Sequence, residues 1–366
     1  MAAPADHRST SANHPSTWPD VASTMHGFPF PELPSCREVI VPRPEATEDP
    51  DLVVLPGGET FYLQPRRLAT SLFGVVLHGI EGRCSNPDEP STFLMPRKSE
   101  EQTQVAVKMS SLAKMKRAPQ ENVFREISVM RYLSEGTGHP HVMPLVAACM
   151  SETHVYVVTP FFGGGDLLKM VVPDEGTGEQ RARKWFGQIF LALAYVHGKG
   201  LCHHDFSPEN VVIDKNGDAA VVMDFGMVQR MTTGPLGEVK ETRDAHPFGK
   251  MRYMSPEIWE NKEYDGRQAD IWSAGVTLLV CLLGEYLWVA PTRTPLESRG
   301  IYSSDIYSYS TLEEHGVRVM LDRLNFTSRM SAAAVDLLCH VLVVDRAYRP
   351  CLANVLVQHP FFAELL

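Results

Sequence analysis

The chain has 366 residues, 44% hydrophobic and 21% charged, which is ample for a large core and unlike a disordered protein. Its 34 basic and 44 acidic residues leave a net charge of −10, which argues against a nucleic-acid or acidic-membrane partner. Seven cysteines (Cys36, Cys84, Cys149, Cys202, Cys281, Cys339, Cys351) are odd in number and lack CxxC spacing, so reduced thiols in a cytoplasmic or nuclear setting are expected, not a disulfide framework or a zinc site.

Residues 1–58 are rich in Pro, Ser, Thr and Ala without helical or strand periodicity, the composition of a disordered leader. The N-terminus has no apolar core like that of a signal peptide. Leu68 to Val76 reads as a hairpin, and 79–102 as a polar, proline-containing insertion. Thr103 to Met109 alternates into Lys108, a cation that is costly to bury without a partner. In Glu121 to Leu133, Val123, Ile127, Met130 and Leu133 share one helical face, and the same helix carries Glu126, which can supply that partner. His154 to Thr159 is a strand, and Pro160-Phe161-Phe162-Gly163-Gly164-Gly165-Asp166-Leu167 breaks it.

From Glu179 to Gly200 an amphipathic helix places Trp185, Phe186, Ile189, Phe190, Leu193 and Val196 on one side. It delivers the chain to Leu201-Cys202-His203-His204-Asp205-Phe206-Ser207-Pro208-Glu209-Asn210-Val211-Val212. A loop with Asp205 and Asn210 at this spacing can aim a carboxylate at a hydroxyl and an amide oxygen at a magnesium ion. Val221-Val222-Met223-Asp224-Phe225-Gly226 then adds a second carboxylate at the end of an apolar run. The apolar stretch from Trp272 to Ala290 is interrupted by Gly284 and Glu285, which marks a buried helix rather than a membrane span.

In this order the strand lysine, the Asp205 loop and Asp-Phe-Gly resemble the eukaryotic protein kinase set, over about Phe61 to Leu366. The resemblance implies an α+β, bilobal fold. A five-stranded sheet with one main helix and the hinge occupies 59–162, and a mostly helical lobe 163–366. It implies ATP and Mg2+ as cofactors, with Asp205 as catalytic base, Lys108 on the α- and β-phosphates and paired to Glu126, and Asn210 and Asp224 on the metal. Gly74, Val76, Ala106 and the small gatekeeper Thr159 would surround the nucleotide, and backbone groups of Phe161 and Phe162 would bond adenine. Asp166 would touch ribose or substrate, or else cap a helix. His203 would pack under Phe225, Glu257 would pair with Arg349, and Asp270 would cap its helix and brace the catalytic loop.

Four departures stand out. Ala69 and Ser71 replace the first two glycines of the nucleotide loop, His204 replaces the arginine before the catalytic aspartate, Ser207 replaces a lysine, and Lys250 replaces a threonine. The last two suggest a swap in which Lys250 supplies the ammonium that Ser207 lacks. The segment from Asp224 to Glu257 carries Thr232, Thr233 and Thr242 as phosphorylation candidates. The resemblance implies a Ser/Thr protein kinase acting on protein substrates, with Glu209 placed to read a basic residue near the target. The alternative is a pseudokinase, a regulatory interaction module favoured by the altered loop residues and opposed by the intact Lys108, Glu126, Asp205, Asn210 and Asp224.

Overall fold

A computed structural model describes residues 25, 27–39, 52–55, 59–84, 93–94, 103–117, 122–232, 234, 249–288, 316–352, 355 and 359–363. The chain divides into two compact units, one formed by Met1–Glu135 and Pro144–Phe161, the other by Gly136–Met143 and Phe162–Leu366. No helix among the described residues is long and apolar enough to cross a membrane.

The first unit is built on a sheet of eight strands. They are β1 (Arg37–Val39), β2 (Leu52–Val54), β3 (Glu59–Ser71), β4 (Gly74–Cys84), β5 (Phe93–Leu94), β6 (Gln104–Ser111), β7 (Ala147–Met150) and β8 (His154–Pro160). The spatial order is β1-β2-β3-β4-β6-β8-β7, with β5 beside β4. Side chains alternate across a strand, so the period of β6 separates two faces. Val105, Val107 and Met109 point into a core shared with Val75, Leu77, Tyr156 and Val158. Lys108 and Ala106 therefore occupy the other face, where the register sets Val76 beside Lys108 and Ala106 beside Thr159. The sheet exceeds the expected five strands because β1, β2 and β5 extend it.

Among the described residues two helices accompany the sheet, α1 (Leu112–Arg117) and α2 (Val123–Leu133). Asn122 caps α2 through its side-chain oxygen, which accepts from the Arg125 amide at 3.0 Å. The one-face pattern expected of α2 understates its burial: Phe124, Glu126 and Ser128 are buried along with Val123, Ile127, Met130 and Leu133. Part of the cover comes from the N-terminal stretch. Residues 1–58 are not uniformly without structure, since Met25 and residues 27–39 pack on this unit and β1 and β2 join its sheet. Apolar Phe28 and Phe30 inside a proline-rich stretch supply the driving force. The expected polar insertion at 79–102 begins as sheet, because β4 continues to Cys84; residues 85–92 and 95–102 lie outside the described residues.

In the second unit, α3 (Glu179–Gly198), α4 (Pro256–Trp259), α5 (Gly266–Leu283), α6 (Gly316–Arg323) and α7 (Ala332–Val341) surround short strands. These are β9 (Gly165–Asp166), β10 (Leu201–Cys202), β11 (Val211–Ile213), β12 (Ala220–Val222) and β13 (Gln229–Arg230). β12, β11 and β9 form one sheet, and β10 pairs with β13. The stripe expected on α3 is buried in full, and α3 and α5 pack together, as do α5 and α7. Asp265, not Asp270, caps α5, accepting from the Arg267 amide at 2.9 Å; Asp270 sits more than a turn further in. The helix ends at Gly284, whose φ of 80° only glycine adopts readily. Arg349 and Glu257 form a buried bidentate pair at 2.6 and 2.8 Å. Among the described residues six cysteines are free thiols. Thr233 and Thr242 lie outside the described residues, and Thr232 inside them.

Candidate active site

In the first unit, β3 and β4 turn through Leu72 and Phe73, with Ser71 opposite Gly74. Phe73, in this turn, is 1% accessible, and its carbonyl accepts from the Ser111 amide at 3.0 Å. Gly74 is required by space, since a Cβ there would stand 1.9 Å from the Met109 carbonyl oxygen. Ala69 lies opposite Val76 in the ladder, one cross-strand pair from Lys108. The Ser71 hydroxyl oxygen is buried without a hydrogen-bond partner among the described residues, an unusual state for a donor.

Lys108 Nζ donates to Glu126 Oε2 at 2.8 Å, with both side chains largely buried. This offsets the cost of placing an ammonium on the sheet face. Thr159 Oγ1 lies 3.5 Å from the Ala106 carbonyl oxygen, at the limit of a hydrogen bond. The Phe161 amide donates to the Gln104 carbonyl at 3.1 Å. His78 escaped notice in the sequence because it is a lone polar residue within the apolar run from Val75 to Ile80 of β4. Its ring is 4.4 Å from that of Phe161, and its nitrogens lie 2.6 Å from Gln64 Oε1 and 3.1 Å from Gln104 Oε1.

In the second unit, Phe162 begins the glycine-rich run and its carbonyl faces the Gly165 amide at 3.4 Å. Asp166 is a cap: Oδ1 accepts from the Lys169 amide at 3.1 Å and Oδ2 pairs with Lys169 Nζ at 2.6 Å. That geometry realises the capping reading.

The loop after β10 hangs on Asp270. Its fully buried carboxylate accepts from the His203 amide at 2.7 Å, the His204 amide at 2.9 Å and His197 Nε2 at 2.9 Å. Burial alone would raise the Asp270 pKa; the His197 bond and the neighbouring histidines outweigh it and hold the carboxyl below its usual range. The bracing role stands, therefore, though the capping role does not. His203 packs against Phe225 with ring centroids 5.5 Å apart and contacts the Met223 carbonyl through Nε2 at 3.1 Å, a structural histidine. His204 takes a left-handed backbone, φ 64°, and its ring lies 5.7 Å from Tyr264.

Asp205 is held from three directions. Lys250 N donates to Oδ1 at 3.1 Å, Asn210 Nδ2 to Oδ2 at 3.1 Å, and Lys250 Nζ lies 3.4 Å from Oδ2. Lys250 Nζ also donates to Ser207 Oγ at 2.7 Å. Asn210 Nδ2 bonds the Asp205 carbonyl at 2.7 Å as well, which turns the Asn210 amide oxygen away from Asp205. The Met223 amide bonds the Asn210 carbonyl at 2.9 Å, tying this loop to the strand end that carries Asp224. Asp224 has φ 64°, and its Oδ1 accepts from Gly226 at 3.4 Å. An amide oxygen and a carboxylate are the hard donors that magnesium takes, so these residues fit the ion. Glu209 Oε2 is buried without a hydrogen-bond partner among the described residues.

The protein kinase domain family matches residues 91–362. This chain belongs to the protein kinase family. Similar curated proteins include the CBL-interacting serine/threonine-protein kinase 16 of Arabidopsis thaliana, 34% identical over 222 residues, 60% of this chain and 43% of that protein. The CBL-interacting serine/threonine-protein kinase 9 of the same plant is 33% identical over 49% of this chain and 38% of its own length. The CBL-interacting protein kinase 9 of Oryza sativa subsp. japonica is 35% identical over 45% of this chain and 34% of its own. The chain thus spans less than half the length of these relatives. The two units, one β-rich with its main helix and one mostly helical, are the α+β, bilobal arrangement of the protein kinase fold.

Proposed function

We propose that this kinase domain transfers the γ-phosphoryl group of ATP to serine or threonine hydroxyls of protein substrates. The observation that carries the reading is the Asp205 loop, where a carboxylate is fixed from both sides by Lys250 and Asn210 while Asn210 turns its amide oxygen outward. Phosphoryl transfer asks the protein for positioning and charge neutralisation rather than covalent chemistry. Asp205 orients the substrate hydroxyl and accepts its proton. Asn210 and Asp224 would hold magnesium, which when bound neutralises phosphate charge. Lys108, oriented by Glu126, would hold the α- and β-phosphates. Gly74, Ala69 and the unpartnered Ser71 hydroxyl border the turn proposed to face phosphate, and Val76, Ala106 and Thr159 the adenine. Glu209, with a buried oxygen lacking a partner, suits a basic substrate side chain near the target. Reduced thiols and the acidic net charge agree with a cytoplasmic or nuclear protein.

The test is radiolabel transfer from ATP with magnesium to a generic basic protein, comparing the full chain with Asp205→Asn. Transfer lost in the variant supports the reading. No transfer by the unaltered chain, with nucleotide binding retained, selects the pseudokinase.

A further inference from the structure

The stretch expected to be disordered crosses the outer side of α2 and then reaches the sheet. Asn122, the cap of α2, donates from Nδ2 to Met25 Sδ at 3.4 Å. Two residues along, the Phe30 and Phe124 rings lie 4.6 Å apart. Ser128 Oγ donates to the Pro29 carbonyl at 2.8 Å, and Arg131 Nη1 to the Glu32 carbonyl at 3.1 Å. The contacts therefore run from the cap of α2 to its last turn. Beyond them the segment pairs in parallel with the end of β7: the Met150 amide donates to the Pro34 carbonyl and the Cys36 amide to the Met150 carbonyl, both at 3.0 Å.

Glu38 then anchors it. Its carboxylate accepts from Tyr156 Oη at 2.6 Å, His154 Nδ1 at 3.1 Å, Thr153 Oγ1 at 3.2 Å, and Ser151 Oγ. Burial would raise the Glu38 pKa, but the bonds from Ser151, Tyr156 and His154 outweigh it and leave the carboxyl below its usual range. The anchor is thus a charged acceptor with several donors, a stronger clamp than a neutral bond.

An eleven-residue helix is marginal alone, so what covers its faces sets its position. On one side Glu126 meets Lys108 of the sheet; on the other side the cover is this segment. We infer that residues 25–39 form a positioning strap, latched by Glu38, that holds α2 at the depth where Glu126 reaches Lys108. The inference rests on the reading of Lys108 and Glu126 as nucleotide-binding groups only for its consequence in catalysis; the strap itself is tested without any activity.

The experiment uses the full chain and two substitutions, Glu38→Ala and Ser128→Ala. Amide hydrogen exchange is read along the chain, and the rate of Lys108 acetylation by an amine-reactive ester is read by mass spectrometry. With Glu38→Ala, exchange in 27–39 and 123–133 rises together by about tenfold, and Lys108 acetylates several-fold faster, while 266–283 is unchanged. If 27–39 loosens while 123–133 and Lys108 stay protected, the strap does not position the helix. Should Glu38→Ala unfold the first unit as a whole, Ser128→Ala decides, because it removes one strap-to-helix bond and little else. Faster Lys108 labelling in that variant supports the strap, and an unchanged rate overturns it. Kinase activity enters neither readout, so a failed strap and a failed functional reading remain distinguishable.

Discussion

Lys250 Nζ lies 2.7 Å from Ser207 Oγ, so the ammonium that Ser207 lacks is brought to the Asp205 loop from the far end of the segment between Asp224 and Glu257. The same amine stands 3.4 Å from Asp205 Oδ2, while its own backbone amide fixes Oδ1. One residue thereby orients the proposed base and supplies a positive charge beside it. Lys250→Met is expected to lower kcat by about 100-fold, roughly 2.7 kcal/mol of barrier, with a smaller change in the KM for ATP. A turnover within about threefold of the unaltered chain, under ~1 kcal/mol, rules the exchange out. Ser207→Lys combined with Lys250→Thr restores the cation from the other side and should recover much of the rate, a coupling that single variants do not show.

The Glu257–Arg349 pair is a matter of stability. Arg349 is wholly buried as a side chain, and beyond Glu257 it donates to the carbonyls of Val343 at 2.7 Å and Gln268 at 2.9 Å. Removing it strands a carboxylate and several carbonyls. Arg349→Ala should cost about 3–5 kcal/mol, read as a lower denaturant midpoint of the second unit. Arg349→Lys should recover little, because an ammonium lacks the planar fork that meets both carboxylate oxygens.

Gly266 begins α5 directly against the catalytic loop. A Cβ there would lie 2.4 Å from His204 Nε2 and 2.8 Å from Cys202 Sγ. Gly266→Ala must displace His204, whose backbone is held by Asp270 one residue before Asp205. Activity should fall more steeply than the overpacking cost of about 1–3 kcal/mol in stability would explain. Gly266→Ala with His204→Ala relieves the nearer contact while Cys202 Sγ still stands 2.8 Å away, so only part of the activity should return. Equal rates for both variants would remove His204 as the cause.

Where residue identity alone decides the chemistry, the sequence was legible. The Lys108–Glu126 pair was legible through the motif order that resembles the kinase set, and the buried stripe of α3 follows from spacing. What escaped were relationships set by packing. Met25 to Val39 lacks periodicity because it binds through a few scattered apolar side chains, several carbonyls and one carboxylate, which leave no regular side-chain pattern. The full burial of α2 is invisible for the same reason, since Ser128 reads as polar until Pro29 covers it. The cap that Asp166 makes on the Lys169 amide and the bond from the Phe161 amide to Gln104 are backbone relationships that spacing does not encode.

Histidines whose pKa burial lowers, among them His139, His141 and His359, set an acid limit on the second unit. His139 and His141 lie with ring centroids 5.8 Å apart, and His139 stacks on Tyr195 at 5.2 Å. Burial pushes the pKa of both below the ordinary 6.5; for His139 the neighbouring imidazole adds to this, and for His141 a bond to the Ala220 carbonyl at 3.0 Å opposes it without prevailing. A histidine depressed in the folded state binds fewer protons there than when unfolded. Its stabilisation is complete above the unfolded value and is lost as pH falls from 6.5 through the folded pKa. Each imidazole contributes a slope of at most about 1.4 kcal/mol per pH unit in that window. Denaturant midpoints measured between pH 7.5 and 5 should decline with acid. His141→Gln keeps a donor for the Ala220 carbonyl and removes the titration, so its decline should be shallower. An identical slope in that variant would place the acid sensitivity elsewhere. Glu38 does not account for loss in this range, because its depressed pKa keeps its own contribution intact until the pH drops below the usual carboxylate value.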